Sequence, residues 1–265
     1  MTGDHAFLRE VSPRYADCLV RAEDRPAIDV ARARRQHAAY ADALRAAGMT
    51  VTVLPAIDAA DGCFVEDCAV VLDDELAVAT RPGAASRREE VASIRRALSA
   101  HRRVVTIGAP ATLDGGDVLR IGDRLFVGLS ARTNEEGARA LGELAAPRGM
   151  TVIAVPVRDA LHLESAVSAL DHDTVLLDPR RVDAEIFSGL GVVETPAGEG
   201  DGANVLRLSR PGHVLVARAF TETRRRLIER KLEVTDVDLS EFTKGDAGPT
   251  CLSVVLRAGG SAGAE

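Results

Sequence analysis

Residues 113–155 read LDGGDVLRIGDRLFVGLSARTNEEGARALGELAAPRGMTVIAV, and their pattern decides the fold. Two apolar runs, 118–121 and 125–127, flank the pair Gly122-Asp123, which suits a tight hairpin turn. A helix-patterned stretch follows over 133–148. It opens on Thr133 with Glu136 three positions on, the spacing of a capping box, and stops at Gly149. The β-branched run 151–155 completes a unit of strand, strand, helix, strand.

The same order recurs on both sides. Hairpin-like pairs lie at 68–72 with 76–79, joined through Asp73-Asp74, and at 205–208 with 214–217. Helix patterns cover 29–47, with an Asp29 cap and Gly48 stop, and 86–100, with Ser86 and Glu89 in capping-box spacing. A short helix is expected at 182–188 and a longer one at 221–232. Strands are expected at 51–54, 104–107, 192–194 and 234–237. The unit thus appears about five times at intervals of roughly 40–50 residues, as a repeat of elements and not of letters. Five such modules predict an α/β fold closed into a pseudo-symmetric ring, helices outside and loops converging on a central channel. An open α/β sheet is the competing arrangement. No linker interrupts the chain, so 1–257 reads as one domain and 258–265 (AGGSAGAE) as a disordered tail.

Composition narrows the function. The chain has 265 residues, 46% hydrophobic and 28% charged, enough for a sizeable core. Aromatics are 3% and Trp is absent, so that core must be built from Ala, Val and Leu. A net charge of -7 argues against nucleic acid, and no apolar run has membrane-spanning length. The start lacks an apolar signal-peptide core, and four unclustered cysteines do not form a disulfide framework. A reduced, cytoplasmic protein is expected. Cys63 and Cys68 lack zinc-knuckle spacing, and there is no phosphate-binding glycine loop. No metal and no cofactor are expected.

Four segments carry chemistry. Residues 248–253 (GPTCLS) put Cys251 where a Gly/Pro turn meets the apolar run 252–256, read as a strand. Residues 61–67 (DGCFVED) hold three carboxylates; if extended, Asp61 and Asp67 share one face and Glu66 takes the other. Read alone, a solvated acidic turn is the better account. At 112–119 (TLDGGDVL) a Gly-Gly bend can aim Asp114 into a cleft while Asp117 ties up backbone donors; two capping Asp residues on a hairpin would look the same. His162 stands between leucines, where most histidines are core residues, yet its usual pKa of roughly 6.5 suits a proton shuttle. Arg87 and Arg132 sit at expected helix starts, places that favour a bound carboxylate, although surface salt-bridging is the ordinary role of arginine there.

Taken in order, DGCFVED at 61–67, TRPGAASRR at 80–88, LDGGDVL at 113–119, SARTN at 130–134, LHL at 161–163 and TCLS at 250–253 resemble the dimethylarginine dimethylaminohydrolase family. Each motif is short, but six in order over about 9–257 are specific. The resemblance implies the guanidino-group-modifying superfamily and its five-bladed α/β propeller. It implies Cys251 as nucleophile, His162 as general acid/base and Asp114 as the carboxylate that pairs with the histidine. It further implies Asp61, Glu66 and Asp67 as substrate-binding acids, Arg87 and Arg132 as holders of the amino-acid head group, and main-chain contacts from Leu19, on a lid, and Gly245. The expected reaction is hydrolysis of N-omega-methylated arginines to citrulline and methylamine or dimethylamine through a covalent Cys thiouronium. The expected partner is a small guanidino substrate, and a homodimer is compatible with the sequence. An arginine deiminase or another guanidine hydrolase of the superfamily is the nearest alternative; a silent binder of arginine derivatives is the second. This chain departs from the pattern at Ala60, where Pro is usual, at Glu164, where Lys is typical, and in the Gly-rich run 196–202.

Overall fold

The structure is a computed structural model that describes residues 3–21 and 26–258. The expected tail therefore lies, apart from Ala258, outside the described residues. Fifteen strands among those residues form five three-stranded sheets. The first module holds β1 (His5–Arg9), α1 (Val30–Ala46) and β2 (Thr50–Leu54). The second holds β3 (Ala69–Val71), β4 (Leu76–Ala79), α2 (Val91–Ser99) and β5 (Arg103–Thr106). The third holds β6 (Val118–Ile121), β7 (Arg124–Leu129), α3 (Glu135–Ala145) and β8 (Thr151–Pro156). The fourth holds β9 (Val167–Ala169), β10 (Thr174–Leu177) and β11 (Gly191–Glu194). The fifth holds β12 (Leu206–Arg207), β13 (His213–Ala217), α4 (Thr221–Glu229) and β14 (Glu233–Val237). In each, an inner strand pairs antiparallel with the middle strand, which pairs parallel with the outer one.

The first module begins on its middle strand. Its inner strand is β15 (Val254–Leu256), which pairs antiparallel with β1 from the far end of the chain. The ring is closed by this pairing, and the fold is a five-bladed α/β propeller.

The middle strands explain why the apolar runs are continuous. Successive side chains point to opposite faces, and both faces meet a neighbouring blade. On β4, Leu76 and Val78 pack with the third blade while Ala77 and Ala79 pack with the first. On β7, Leu125 and Val127 face the second blade and Phe126 the fourth. On β10, Val175 and Leu177 face the third and Leu176 the fifth. The five core clusters are the five interfaces between blades. The inner strands line a central cavity of about 1000 Å³, with residues from β3, β6, β9, β12 and β15 in its wall.

Several local expectations shift. Asp29 caps α1 by accepting from the Arg32 N–H, as its sequence predicts. Ser86 makes no capping bond: residues Ala85–Glu90 form a 3-10 turn before α2, and the turn buries Arg87 and Glu90. At α3 the cap is Asn134, which accepts from the Gly137 N–H, and not Thr133, whose hydroxyl is drawn away to Asp117. In the fourth blade the expected helix is only a 3-10 turn, Ala184–Phe187.

Phe126 is fully buried between the third and fourth blades, its ring 4.8 Å from that of Phe187. Phe126→Ala should lower the unfolding free energy by about 3–5 kcal/mol in chemical denaturation. A loss below about 1 kcal/mol would contradict this packing.

Candidate active site

Every inner strand is preceded by a single 3-10 turn. The turns are Val65–Cys68, Gly115–Asp117, Leu163–Ser165, Gly200–Ala203 and Thr250–Leu252. By pseudo-symmetry they converge at one end of the channel, and the candidate residues sit in or beside them. Cys251 lies inside its turn, not at the start of a strand as expected; the strand begins at Val254. The 61–67 segment is likewise turn and 3-10 helix, not extended, so Glu66 and Asp67 project from one turn instead of alternating.

His162 is buried, and its Nε2 lies 3.0 Å from Asp114 Oδ2 and 3.7 Å from Asp67 Oδ1. Asp114 is fully buried, and its other oxygen accepts from the Gly83 N–H at 2.8 Å. Asp67 accepts from the Gly116 N–H at 3.1 Å and pairs with Arg87 through its second oxygen. Burial acts against the imidazolium, but Asp67, Asp114 and Asp117 outweigh it and lift the His162 pKa to about 9. Burial also acts against the Asp67 carboxylate, yet His162 and Arg87 pull its pKa below the ordinary value. With their oxygens held by N–H groups and Arg87, the two acids form an ion-paired cradle for the imidazole and not an open metal triad.

The Gly-Gly bend serves closeness, not backbone freedom. Neither Gly115 nor Gly116 has a positive φ. A Cβ on Gly115 would lie 2.0 Å from the Glu66 carbonyl oxygen, and one on Gly116 would lie 2.8 Å from Asp67 Oδ1 and 3.2 Å from the imidazole. Asp117 ties the neighbouring turn in place. It accepts from the Leu163 N–H at 2.9 Å and from the Ser130 and Thr133 hydroxyls at 2.7 Å each.

Cys251 is half-buried, and its sulfur accepts from the Gly248 N–H at 3.5 Å. Burial first, then the charges of Glu66 and Asp67, push its thiol pKa well above the usual value. Asp67 thus acts on both groups, favouring a neutral thiol at Cys251 and a protonated imidazole at His162. Two residues that the sequence reading did not single out hold the cysteine turn. Buried Asn204 donates to the Glu164 carbonyl and to Thr250 Oγ1, and accepts from the Thr250 N–H. The Thr250 hydroxyl in turn donates to Glu66 at 2.8 Å. Asn204 directly follows the fourth of the five turns, Gly200–Ala203, just past the Gly-rich run 196–202, so the repeat itself marks its position.

Of the remaining candidates Asp61, Arg87 and Gly245 are buried, Arg132 is partly exposed and Leu19 is exposed. Asp61 is buried and accepts from the Leu19 N–H at 3.1 Å; burial raises its pKa against the pull of Arg87, that N–H and Arg132. Leu19 is 39% exposed, and the next segment is strapped down by Arg21, which reaches Asp246 and the Asp159 carbonyl. Gly245 backs this segment: a Cβ there would lie 2.8 Å from the Tyr15 hydroxyl and 3.2 Å from the Cys18 sulfur. Arg87 is buried, with its guanidinium bound by Asp67, Glu90 and the Phe64 carbonyl. Arg132 is partly exposed, and its Nη1 has no hydrogen-bond partner among the described residues.

In the free protein His162 should titrate near 9 by NMR of the imidazole, and Asp114→Asn should bring the midpoint down. Its raised pKa adds stability that is complete below the unfolded value of roughly 6.5 and is lost as pH climbs through about 9. An unchanged midpoint in the variant would contradict the pairing.

Comparison with known proteins identifies the family. A family model described as arginine deiminase matches residues 92–190. The N(G),N(G)-dimethylarginine dimethylaminohydrolase of Streptomyces coelicolor is 41% identical, over 97% of this chain and 98% of that one. The dimethylarginine dimethylaminohydrolase of Pseudomonas aeruginosa, solved as a cysteine-to-serine variant with citrulline, superposes with a TM-score of 0.88 at 29% identity, covering 97% of this chain and 100% of that one. A dimethylarginine dimethylaminohydrolase adduct with S-methyl-L-thiocitrulline, in a histidine-to-glycine variant, gives 0.90 at 30% identity, covering 96% of this chain and 100% of that one. With a relative of this identity matched along nearly its whole length, the chain belongs to the dimethylarginine dimethylaminohydrolase family.

Proposed function

We propose that the protein hydrolyses N-omega-methylated arginines to citrulline and methylamine or dimethylamine. The observation that carries this reading is the buried imidazole held between Asp114 and Asp67, with Cys251 under the charge of the same Asp67. A thiol kept neutral by acids is a poor nucleophile until a cation arrives. A bound guanidinium supplies that cation and offsets Glu66 and Asp67, so that the thiol can give up its proton to solvent and leave the thiolate.

The thiolate then attacks the central guanidinium carbon and forms a C–S bond. His162, already protonated, gives its proton to the departing amine as that C–N bond breaks, leaving a thiouronium on Cys251. The neutral imidazole takes a proton from water and the hydroxide adds to the same carbon; the new hydroxyl then gives its proton to sulfur as the C–S bond breaks, which releases citrulline and restores the thiol and the imidazolium. Asp114 fixes the ring orientation through both halves. Asp61, Glu66 and Asp67 hold the plane of the guanidinium.

At the other end of the substrate, Arg132 has a nitrogen available for the carboxylate. Arg87 joins it only by releasing one of Asp67, Glu90 or the Phe64 carbonyl; otherwise it acts from behind, by fixing Asp67. Leu19 and Gly245 place main chain at the rim, where a lid would contact the head group. Among the described residues no helix is long and apolar enough to cross a membrane, and a cytoplasmic enzyme fits the free cysteines.

The test is citrulline formation from dimethylarginine, monomethylarginine and arginine. The methylated substrates should lead, and Cys251→Ser should abolish turnover with the fold intact. Arginine as the preferred substrate would favour a deiminase, as the partial family-model match allows; retained binding without turnover would favour a silent binder. Arg132→Ala should raise KM for amino-acid substrates by about 10- to 100-fold, the scale of one charge-assisted hydrogen bond, and change simple alkylguanidines little. Equal losses for both would remove Arg132 from the head-group site.

A further inference from the structure

Glu66 and Glu164 both face the central cavity, and their carboxyl groups stand within hydrogen-bonding reach of each other and of the Thr250 hydroxyl. Neither forms an ion pair among the described residues. Two carboxylates cannot meet this way without a proton between them. The Thr250 hydroxyl touches both carboxyl groups but has one proton, which it donates to Glu66, so it cannot satisfy the pair. Both glutamates also line the central cavity of about 1000 Å³, which gives the pair a route to solvent from behind the site. Their charges both act on Cys251.

We propose that Glu164 is a positioning residue that shares one proton with Glu66 and so sets how much negative charge the acid ring presents to a guanidinium. The inference rests on the guanidine-hydrolase reading and extends it to a position where the family pattern has Lys. With the proton held, the pair contributes one negative charge. When it is lost, a second appears beside Cys251, which draws a cation in more strongly and makes the thiolate harder to form.

The groups around the pair are known from every side. Asp67 stands beside Glu66, and His162 precedes the turn that carries Glu164. Thr250 and Cys251 belong to the turn above. Asp114 precedes the Gly115–Asp117 turn and Asp117 ends it, Arg207 comes from β12, and the Tyr40 hydroxyl from α1 reaches Pro249 and Ser253. Burial is the main cause that lifts Glu164, to about 7, and Glu66 rises with it. The proton is therefore lost across neutrality. Asp117, at about 6, and His162, at about 9, titrate on either side.

The experiment measures the affinity of dimethylarginine for the Cys251→Ser protein by calorimetry between about pH 6 and pH 8, with and without Glu164→Gln. Removing the thiol leaves its titration out of the profile. Affinity should rise about tenfold with pH when Glu164 is present, the scale of one added charge about 10 Å away, and should be flat above about pH 7 with Glu164→Gln, whose amide donates to Glu66 at every pH, since Asp117 has lost its proton by then. The same slope in both proteins would overturn the proposal. Infrared spectroscopy of the otherwise native protein, labelled with carboxyl-¹³C glutamate, tests it without ligand or variant. A protonated glutamate band should be present near pH 6 and fade through about 7. No such band would overturn the shared proton even if the protein binds guanidines normally; a normal band with no guanidine bound would instead remove the functional reading.

Discussion

Asp67 is the group around which the site is organised. One oxygen takes the Gly116 N–H, and the other takes Arg87. Its charge is the leading attractive influence on the imidazole of His162 and one of the main influences holding Cys251 as a thiol. A buried carboxylate is costly unless it is paired and hydrogen-bonded, and Asp67 is both. Arg87 is fixed in turn by Glu90 and by backbone carbonyls, so a chain of buried charges leads from the Ala85–Glu90 turn through Asp67 to His162.

The propeller makes that convergence possible. Its five interfaces are apolar on both faces of every middle strand, which leaves only the strand ends for polar chemistry. Each inner strand enters from a tight turn at the same end, so residues 66–67, 114, 162, 204 and 250–251 meet although they span most of the chain. Closure by β15 against β1 fixes Cys251 in the same frame as the acids from the second blade. Tyr40 adds a brace from outside by bonding to Pro249 and Ser253 on either side of the cysteine turn.

Much of this was legible in the sequence, for physical reasons. Hairpin turns and β-branched runs mark strands wherever both faces are apolar, and the repeat follows from their order. Cys251, His162 and Asp114 stand in short motifs whose order carried the family resemblance. What the pattern hid were long-range claims on local groups. Thr133 looks like a cap but bonds to Asp117, leaving Asn134 to cap α3. Ser86 stands in capping-box spacing, yet the turn there is shaped by the burial of Arg87 and Glu90. Gly115 and Gly116 read as conformational glycines, whereas the structure needs them for contact with the second blade and His162. Asn204 has no motif of its own, and its role shows only when the five turns are superposed.

In the proposed reaction a neutral thiol waits for a cation that activates it, and the proton for the leaving group is already on the imidazole. That sequence of events leaves a mark on one sulfur. Rapid acid quenching during turnover of a methylated arginine, followed by intact-mass and peptide mass spectrometry, reads it directly. The account predicts a transient adduct confined to the peptide containing Cys251, with the mass of the substrate less its amine. Turnover without any adduct, or an adduct on Cys18, Cys63 or Cys68, would contradict it.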